Sequence, residues 1–128
     1  MKKGIYVTLI LVATIIFGIV EMNYVSKVLT TMENTITELY QDYELEEENI
    51  VDYYEKIGNI KEYWKKNETK LCFLFNHRDL SVITDSINRL EAYTKNNDYD
   101  NAIAELAILK EYSTKNCHIM GFNLKNIF

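Results

Sequence analysis

The sequence predicts an all-α protein, in which an N-terminal transmembrane helix continues into an antiparallel bundle of about four long helices. The chain of 128 residues contains no proline and only four glycines, so a many-stranded sheet would lack the residues that its tight turns need. Apolar residues also recur at intervals of three and four over long stretches, as in helices that bury one face. The same shortage of glycine excludes a glycine-rich phosphate-binding loop.

The first element is an uncharged apolar run over residues 4–20, which follows two lysines and precedes Glu21. As a helix it is about 25 Å long, at the short end of what crosses a bilayer. A cleaved signal peptide would need small residues before the cut, and the sequence Ile19-Val20-Glu21-Met22 provides none. A buried helix of a soluble protein is disfavoured for a run that stands at the N-terminus behind two lysines and has no polar face over four turns. We therefore expect an uncleaved signal anchor over residues 1–21 and a separate helical bundle over residues 22–128.

The charges flanking the apolar run predict its orientation. Lys2 and Lys3 lie directly on one side, and the positive-inside rule places such a side in the cytoplasm. The sequence thus predicts a single-pass protein of the cell membrane with its C-terminal domain outside the cytoplasm. Without these two lysines the chain has 12 basic and 19 acidic residues. This excess of negative charge disfavours binding to nucleic acid, and it provides no polybasic surface for anionic lipid.

Beyond the anchor, a heptad pattern of the coiled-coil type predicts that the first helix continues to Tyr43 or Glu44. The acidic stretch 44–49 is the first predicted corner, and a second helix is expected to end near Phe75. Gly58 falls inside this helix and should weaken or bend it. The predicted buried positions are Val25, Leu29, Met32, Ile36, Leu39 and Tyr43, then Ile50, Tyr53, Ile57, Ile60, Trp64, Leu71 and Leu74.

Two further helices follow after short polar corners. Residues 76–79 form the second predicted corner, where Asp79 or Ser81 is suited to cap the third helix. Asn96-Asn97 tolerates the left-handed conformation that ends a helix, and Asp98 is suited to cap a fourth helix that continues past Met120. The expected buried rows are Leu80, Ile83, Ile87, Leu90 and Tyr93, then Ala102, Ile103, Leu106, Leu109 and Tyr112. Short corners between long helices predict antiparallel neighbours.

Four residues form the only cluster with metal-ligand chemistry, namely His77, Asp79, Cys117 and His118. The antiparallel register brings them to a similar height, but their histidines and cysteines lack the spacing of a zinc motif. We therefore assign no metal and no other cofactor. A disulfide between Cys72 and Cys117 is permitted outside the cytoplasm, and the residues leave it open.

The C-terminal stretch is a candidate contact for a partner or for the membrane. Its apolar residues include Phe122, Leu124, Ile127 and Phe128. Packing against the first helix is the competing interpretation, because the end of the fourth helix returns toward the anchor.

Several residues together resemble a known family. They are Trp64, the Asn76-His77 corner, Ile83, Ile87, Leu90 and Tyr93, the run Asn97-Asp98-Tyr99, Ala104, Leu106 and Leu109, and the closing Asn126-Ile127-Phe128. The segment from Trp64 to Phe128 resembles the family catalogued as domain of unknown function 4363, small membrane-anchored helical proteins of Gram-positive bacteria. This resemblance implies a topology and no activity.

We expect the protein not to be an enzyme, because no serine has a nucleophile motif or a histidine at a diagnostic spacing. The sequence favours a non-catalytic interaction module or scaffold, whose partners are the membrane and an envelope protein or a second copy. An alternative is a sensor that binds a small ligand or metal and acts through a membrane partner. A pilin-like subunit is disfavoured, since Leu9 stands where pilins carry a glutamate.

Overall fold

The computed structural model of the protein describes residues 2–45 and 50–120, with side chains over 3–43 and 52–114. These residues form four helices: α1 (Lys2–Leu45), α2 (Ile50–Leu71), α3 (His77–Lys95) and α4 (Tyr99–Met120). Helix α1 passes from the apolar run into the bundle without a break, as the absence of a helix breaker between the run and the heptad stretch predicts. Its 44 residues correspond to a rod of about 66 Å.

The four helices pack side by side in the order α1, α2, α3, α4, and α4 closes the ring against α1. Every neighbouring pair is antiparallel, which confirms the predicted all-α bundle. One side-chain contact from each pair shows the register: Asp42–Lys56 at 2.9 Å, Trp64–Thr84 at 2.8 Å, Arg89–Glu105 at 2.6 Å and Glu33–Thr114 at 2.8 Å.

The core lies along the axis of this ring and confirms most of the predicted buried rows. Its buried apolar residues are Val25, Val28, Leu29, Met32, Ile36, Leu39, Tyr43, Tyr53, Ile57, Ile60, Trp64, Leu71, Leu80, Ile83, Ile87, Leu90, Ala102, Leu106 and Leu109. The predictions that α2 reaches Phe75 and buries Leu74 are wrong. Helix α2 ends at Leu71, and Leu74 is 37% exposed because it lies in the turn that follows.

The ends of α3 correct one prediction, its N-cap, and confirm another, its left-handed C-terminal end. The N-cap of α3 is Asn76, whose side chain accepts a hydrogen bond from the backbone N–H of Arg78 at 3.1 Å, so the expected caps Asp79 and Ser81 are wrong. Asp79 already lies in the first turn, where its carboxylate faces the positive end of the helix dipole. Asn97 has a φ of 57° and confirms the left-handed helix end.

Polar side chains link the helices at two heights. At mid-height the Thr84 hydroxyl accepts a hydrogen bond from Trp64 Nε1 and donates one to Glu68 Oε1 at 2.7 Å. At the end far from the apolar run, the buried hydroxyls of Tyr43 and Thr94 lie 2.7 Å apart. A buried polar group without a partner is unfavourable, so these bonds favour one register of the helices over its alternatives.

Candidate functional site

The apolar run of α1 is exposed along its length, whereas the continuation of the same helix lies in the core. None of the most apolar 18-residue window is buried. The exposed large apolar residues of this run are Ile5, Tyr6, Val7, Leu9, Ile10, Leu11, Val12, Ile15, Ile16, Phe17, Ile19 and Val20. By length and composition α1 could cross a membrane, and it is the one helix of the described residues that passes this test. The apolar patch far exceeds what a soluble monomer usually exposes.

The bundle begins within about one helical turn of the last residue of the run, since Val25 is already buried. At this height the turn between α2 and α3 lies beside α1. A groove of about 410 Å³, which we call the basal groove, is lined by Phe17, Val20, Glu21, Tyr24, Lys70, Phe73 and Leu74. A smaller groove of about 250 Å³ continues from it between Leu74 and Gly18.

Polar contacts hold α1 and α2 together above the basal groove. The Tyr24 hydroxyl donates a hydrogen bond to Asn67 Oδ1 at 2.6 Å, and Asn67 Nδ2 donates one to the carbonyl of Tyr63 at 2.7 Å. The Lys70 ammonium lies 5.4 Å from the centroid of the Tyr24 ring, within range of a cation–π interaction. Asn67 interrupts the apolar row of α2, and its bond to Tyr24 explains this polar gap.

A second groove of about 530 Å³ lies between α1 and α4, and we call it the lateral groove. It is lined by Tyr40, Ala107, Lys110, Glu111 and Thr114. The Lys110 ammonium lies 5.4 Å from the centroid of the Tyr40 ring. Its lining combines the exposed Ala107 and the half-buried Tyr40 and Thr114 with the charged side chains of Lys110 and Glu111.

The four candidate metal ligands are not brought together by the part of the chain that the structure describes. His77 and Asp79 are exposed in the first turn of α3, and the side chains of Cys117 and His118 lie outside the described residues. Within residues 3–43 and 52–114, no three histidine, cysteine or acidic side chains are arranged to hold a metal ion. Cys72 is half-buried, and its pairing with Cys117, whose side chain lies outside the described residues, stays open as the sequence left it.

The C-terminal candidates Phe122, Leu124, Ile127 and Phe128 also lie outside the described residues. The structure instead exposes Phe73, at 87%, beside the apolar run. The helical pattern did not single out Phe73, because it assigned residues up to 75 to α2. A signal was nevertheless present, since Leu71 to Phe75 are five consecutive apolar residues and one face of a helix cannot bury them all.

Fold and site together define a class: an all-α protein in which one apolar helix, long enough to span a membrane, extends into an antiparallel four-helix bundle. Within that class the chain belongs to the family described as Domain of unknown function (DUF4363), whose family model matches residues 19–127. The match confirms the resemblance and extends it to nearly the whole bundle. No curated protein and no solved structure matches the chain.

Proposed function

We propose that the protein is a membrane-anchored, non-catalytic interaction module or scaffold, with α1 in the bilayer and the bundle outside the cytoplasm. One observation carries the proposal: a single uninterrupted helix is exposed on all sides over its apolar half and buries only one face over its amphipathic half. Leaving a dozen large apolar side chains in water would cost on the order of 20 kcal/mol relative to burying them. Lipid is the environment that covers all sides of such a helix.

The flanking charges support the proposed orientation. Lys2 and Lys3 precede the run. On the other side Glu21 follows directly, and the nearest base along the chain is Lys27. Positive residues close to a membrane helix favour the cytoplasmic side, while acidic residues contribute little to orientation.

The open grooves of the bundle, and not its buried polar groups, support a role in binding. Among the described residues, the buried Thr94 and Glu105 bond across helices to Tyr43 and Arg89, so these two polar groups serve packing. The basal and lateral grooves are open and combine apolar walls with a few charges, which suits recognition of a surface.

Cysteine labelling in intact cells tests the anchor and its orientation. In a chain carrying Cys72→Ser and Cys117→Ser, single cysteines are introduced by Lys95→Cys, in the exposed last turn of α3, and by Lys3→Cys. A membrane-impermeant maleimide should label position 95 in intact cells and position 3 only after permeabilisation. The reverse pattern would refute the orientation, and extraction of the protein by alkaline carbonate would refute the anchor.

Site-specific photocrosslinking in native membranes tests the interaction role. A photoreactive residue at Ala107, in the lateral groove, should yield a discrete adduct with a membrane or envelope protein or with a second copy. The matched control is Asn88, an exposed position on α3 outside both grooves. Equal, diffuse labelling from both positions would refute a docking role for the lateral groove.

A further inference from the structure

We infer that the turn between α2 and α3 is a second membrane contact, in which Phe73 inserts into the bilayer interface beside α1. The inference rests on the proposed function, because it requires residues 4–20 to lie in the bilayer. It adds a lipid-binding surface on the bundle itself, so that the bundle rests on the membrane and does not stand away from it on α1 alone.

Backbone hydrogen bonds of the turn hold Phe73 in its exposed position. The backbone N–H groups of Leu74 and Phe75 both donate to the carbonyl of Leu71 at 2.9 Å, which closes a tight turn at the end of α2. Its neighbours Cys72 and Phe75 pack against the core, and Phe73 between them is 87% exposed. A hydrogen-bonded turn thus presents an aromatic side chain outward, at a position where water would be an unfavourable surrounding.

The height of Phe73 relative to α1 favours lipid as its occupant. Phe73 shares the basal groove with Phe17 and Val20, which form the last turn of the apolar run. Residues 4–20 cover about 25 Å as a helix, which is about one helical turn short of a hydrocarbon core of about 30 Å. Glu21, the first charged residue after the run, keeps the hydrocarbon boundary between Val20 and Tyr24, and Phe73, which lines the same groove as both, lies near that boundary.

The residue types around the groove agree with this depth. Tyr24 and Lys70 lie together at its upper edge, with the ammonium 5.4 Å from the ring centroid. Tyrosine is enriched at the membrane–water interface, and lysine places its aliphatic stem in apolar surroundings while its ammonium reaches the headgroups. A helix alone leaves the bundle free to rotate about the α1 axis, and the second contact at Phe73 selects the face that meets the bilayer.

Spin labelling of the full chain in vesicles of phosphatidylcholine and phosphatidylglycerol tests the inference. In the Cys72→Ser, Cys117→Ser chain, nitroxides are attached after Phe73→Cys, Phe17→Cys or Lys95→Cys. Collision with oxygen, which concentrates in lipid, is compared with collision with a water-soluble nickel chelate. Because Phe73 is exposed, its replacement removes little packing. The label at position 73 should favour oxygen over nickel, with a ratio between those at positions 17 and 95.

The two control positions separate the inference from the proposed function. Lipid exposure at position 17 with a fully aqueous label at position 73 would overturn the second contact and leave the anchor intact. Aqueous labels at both positions would overturn both. Protection of position 73 from both reagents would indicate a protein surface in place of lipid, and would also overturn the inference.

Discussion

Arg89 and Glu105 form one ion pair, but we expect removal of Arg89 to destabilise the bundle more than removal of Glu105. Arg89 donates from Nε to Glu105 Oε1 at 2.6 Å and from Nη2 to Oε2 at 3.2 Å, which is a two-bonded contact between α3 and α4. Nη2 also donates to the buried Ser86 hydroxyl at 3.0 Å. The hydrogen bonds that Arg89 donates to Glu105 raise the pKa of Arg89 above its usual range.

The size of the expected loss in stability depends on how deeply each side chain of the pair is buried. The Glu105 side chain is 10% exposed and that of Arg89 is 46% exposed. Removing one partner of a fully buried pair costs about 3–5 kcal/mol, whereas exposed pairs contribute about 1 kcal/mol or less. Arg89→Met leaves the buried carboxylate without its partner, and after allowance for solvent screening of Arg89 we expect a loss of about 2 kcal/mol. For a bundle of about 100 residues this lowers Tm by about 10 °C.

Unfolding of the full chain in detergent micelles measures this loss through the fluorescence of Trp64, the chain's single tryptophan. Glu105→Leu should destabilise less than Arg89→Met, because the half-exposed guanidinium remains hydrated. The double variant should approach the wild type, since apolar residues replace the whole pair. Lys61→Met is the matched control: it removes a pair in which both side chains are about four-tenths exposed, and it should cost below about 1 kcal/mol.

Equal losses from Arg89→Met and Lys61→Met would refute the reasoning, because burial of the acceptor would then have no effect. A double variant as unstable as Arg89→Met alone would refute it as well, since the loss would come from packing of the arginine stem and not from the unpaired carboxylate.

Substitutions at three further positions test individual elements by circular dichroism during unfolding. Trp64→Ala should cost about 3–5 kcal/mol, and Trp64→Phe, which removes the bond to Thr84 but keeps most of the volume, about 1 kcal/mol; equal losses would contradict the packing role. Gly58→Ala should stabilise by about 0.5–1 kcal/mol, because nothing lies within 4 Å of the added methyl group; a loss would contradict a simple helical position. Asn97→Val should cost about 1–2 kcal/mol at a φ of 57°, and Asn97→Gly should be nearly neutral; similar losses would indicate a side-chain role.

The sequence predicted the helices well because each is governed by local patterning. The 4-3 spacing from Val25 to Tyr43 gave one face of α1, and every predicted residue of that face is buried. Asn97 could be assigned to the left-handed helix end from its residue type alone. The end of α2 could not be predicted in the same way, since Leu71 to Phe75 are all apolar and the pattern contains no stop signal.

The candidate site likewise contains one feature that the sequence predicted and others that it could not. The apolar run, a candidate membrane span, could be predicted from the sequence because a long uncharged stretch is recognised from length and composition alone. Phe73 was missed because its importance depends on what lies next to it, and the last turn of the apolar run is about 50 residues away in the chain. The buried Glu105 and Thr94 were missed for a related reason, since each is accommodated by a partner on another helix, Arg89 and Tyr43.

The sequence by itself determined the helical class, the apolar run, most of the buried face of each helix and the corner residue Asn97. These follow from the period of the helix and from backbone preferences, which act over a few residues. Only the tertiary structure decided where α2 ends, which polar groups are paired across helices, and that Phe73 lies beside Phe17 and Val20. These features depend on the axial register of the four antiparallel helices. That register is set by contacts between residues far apart in the chain.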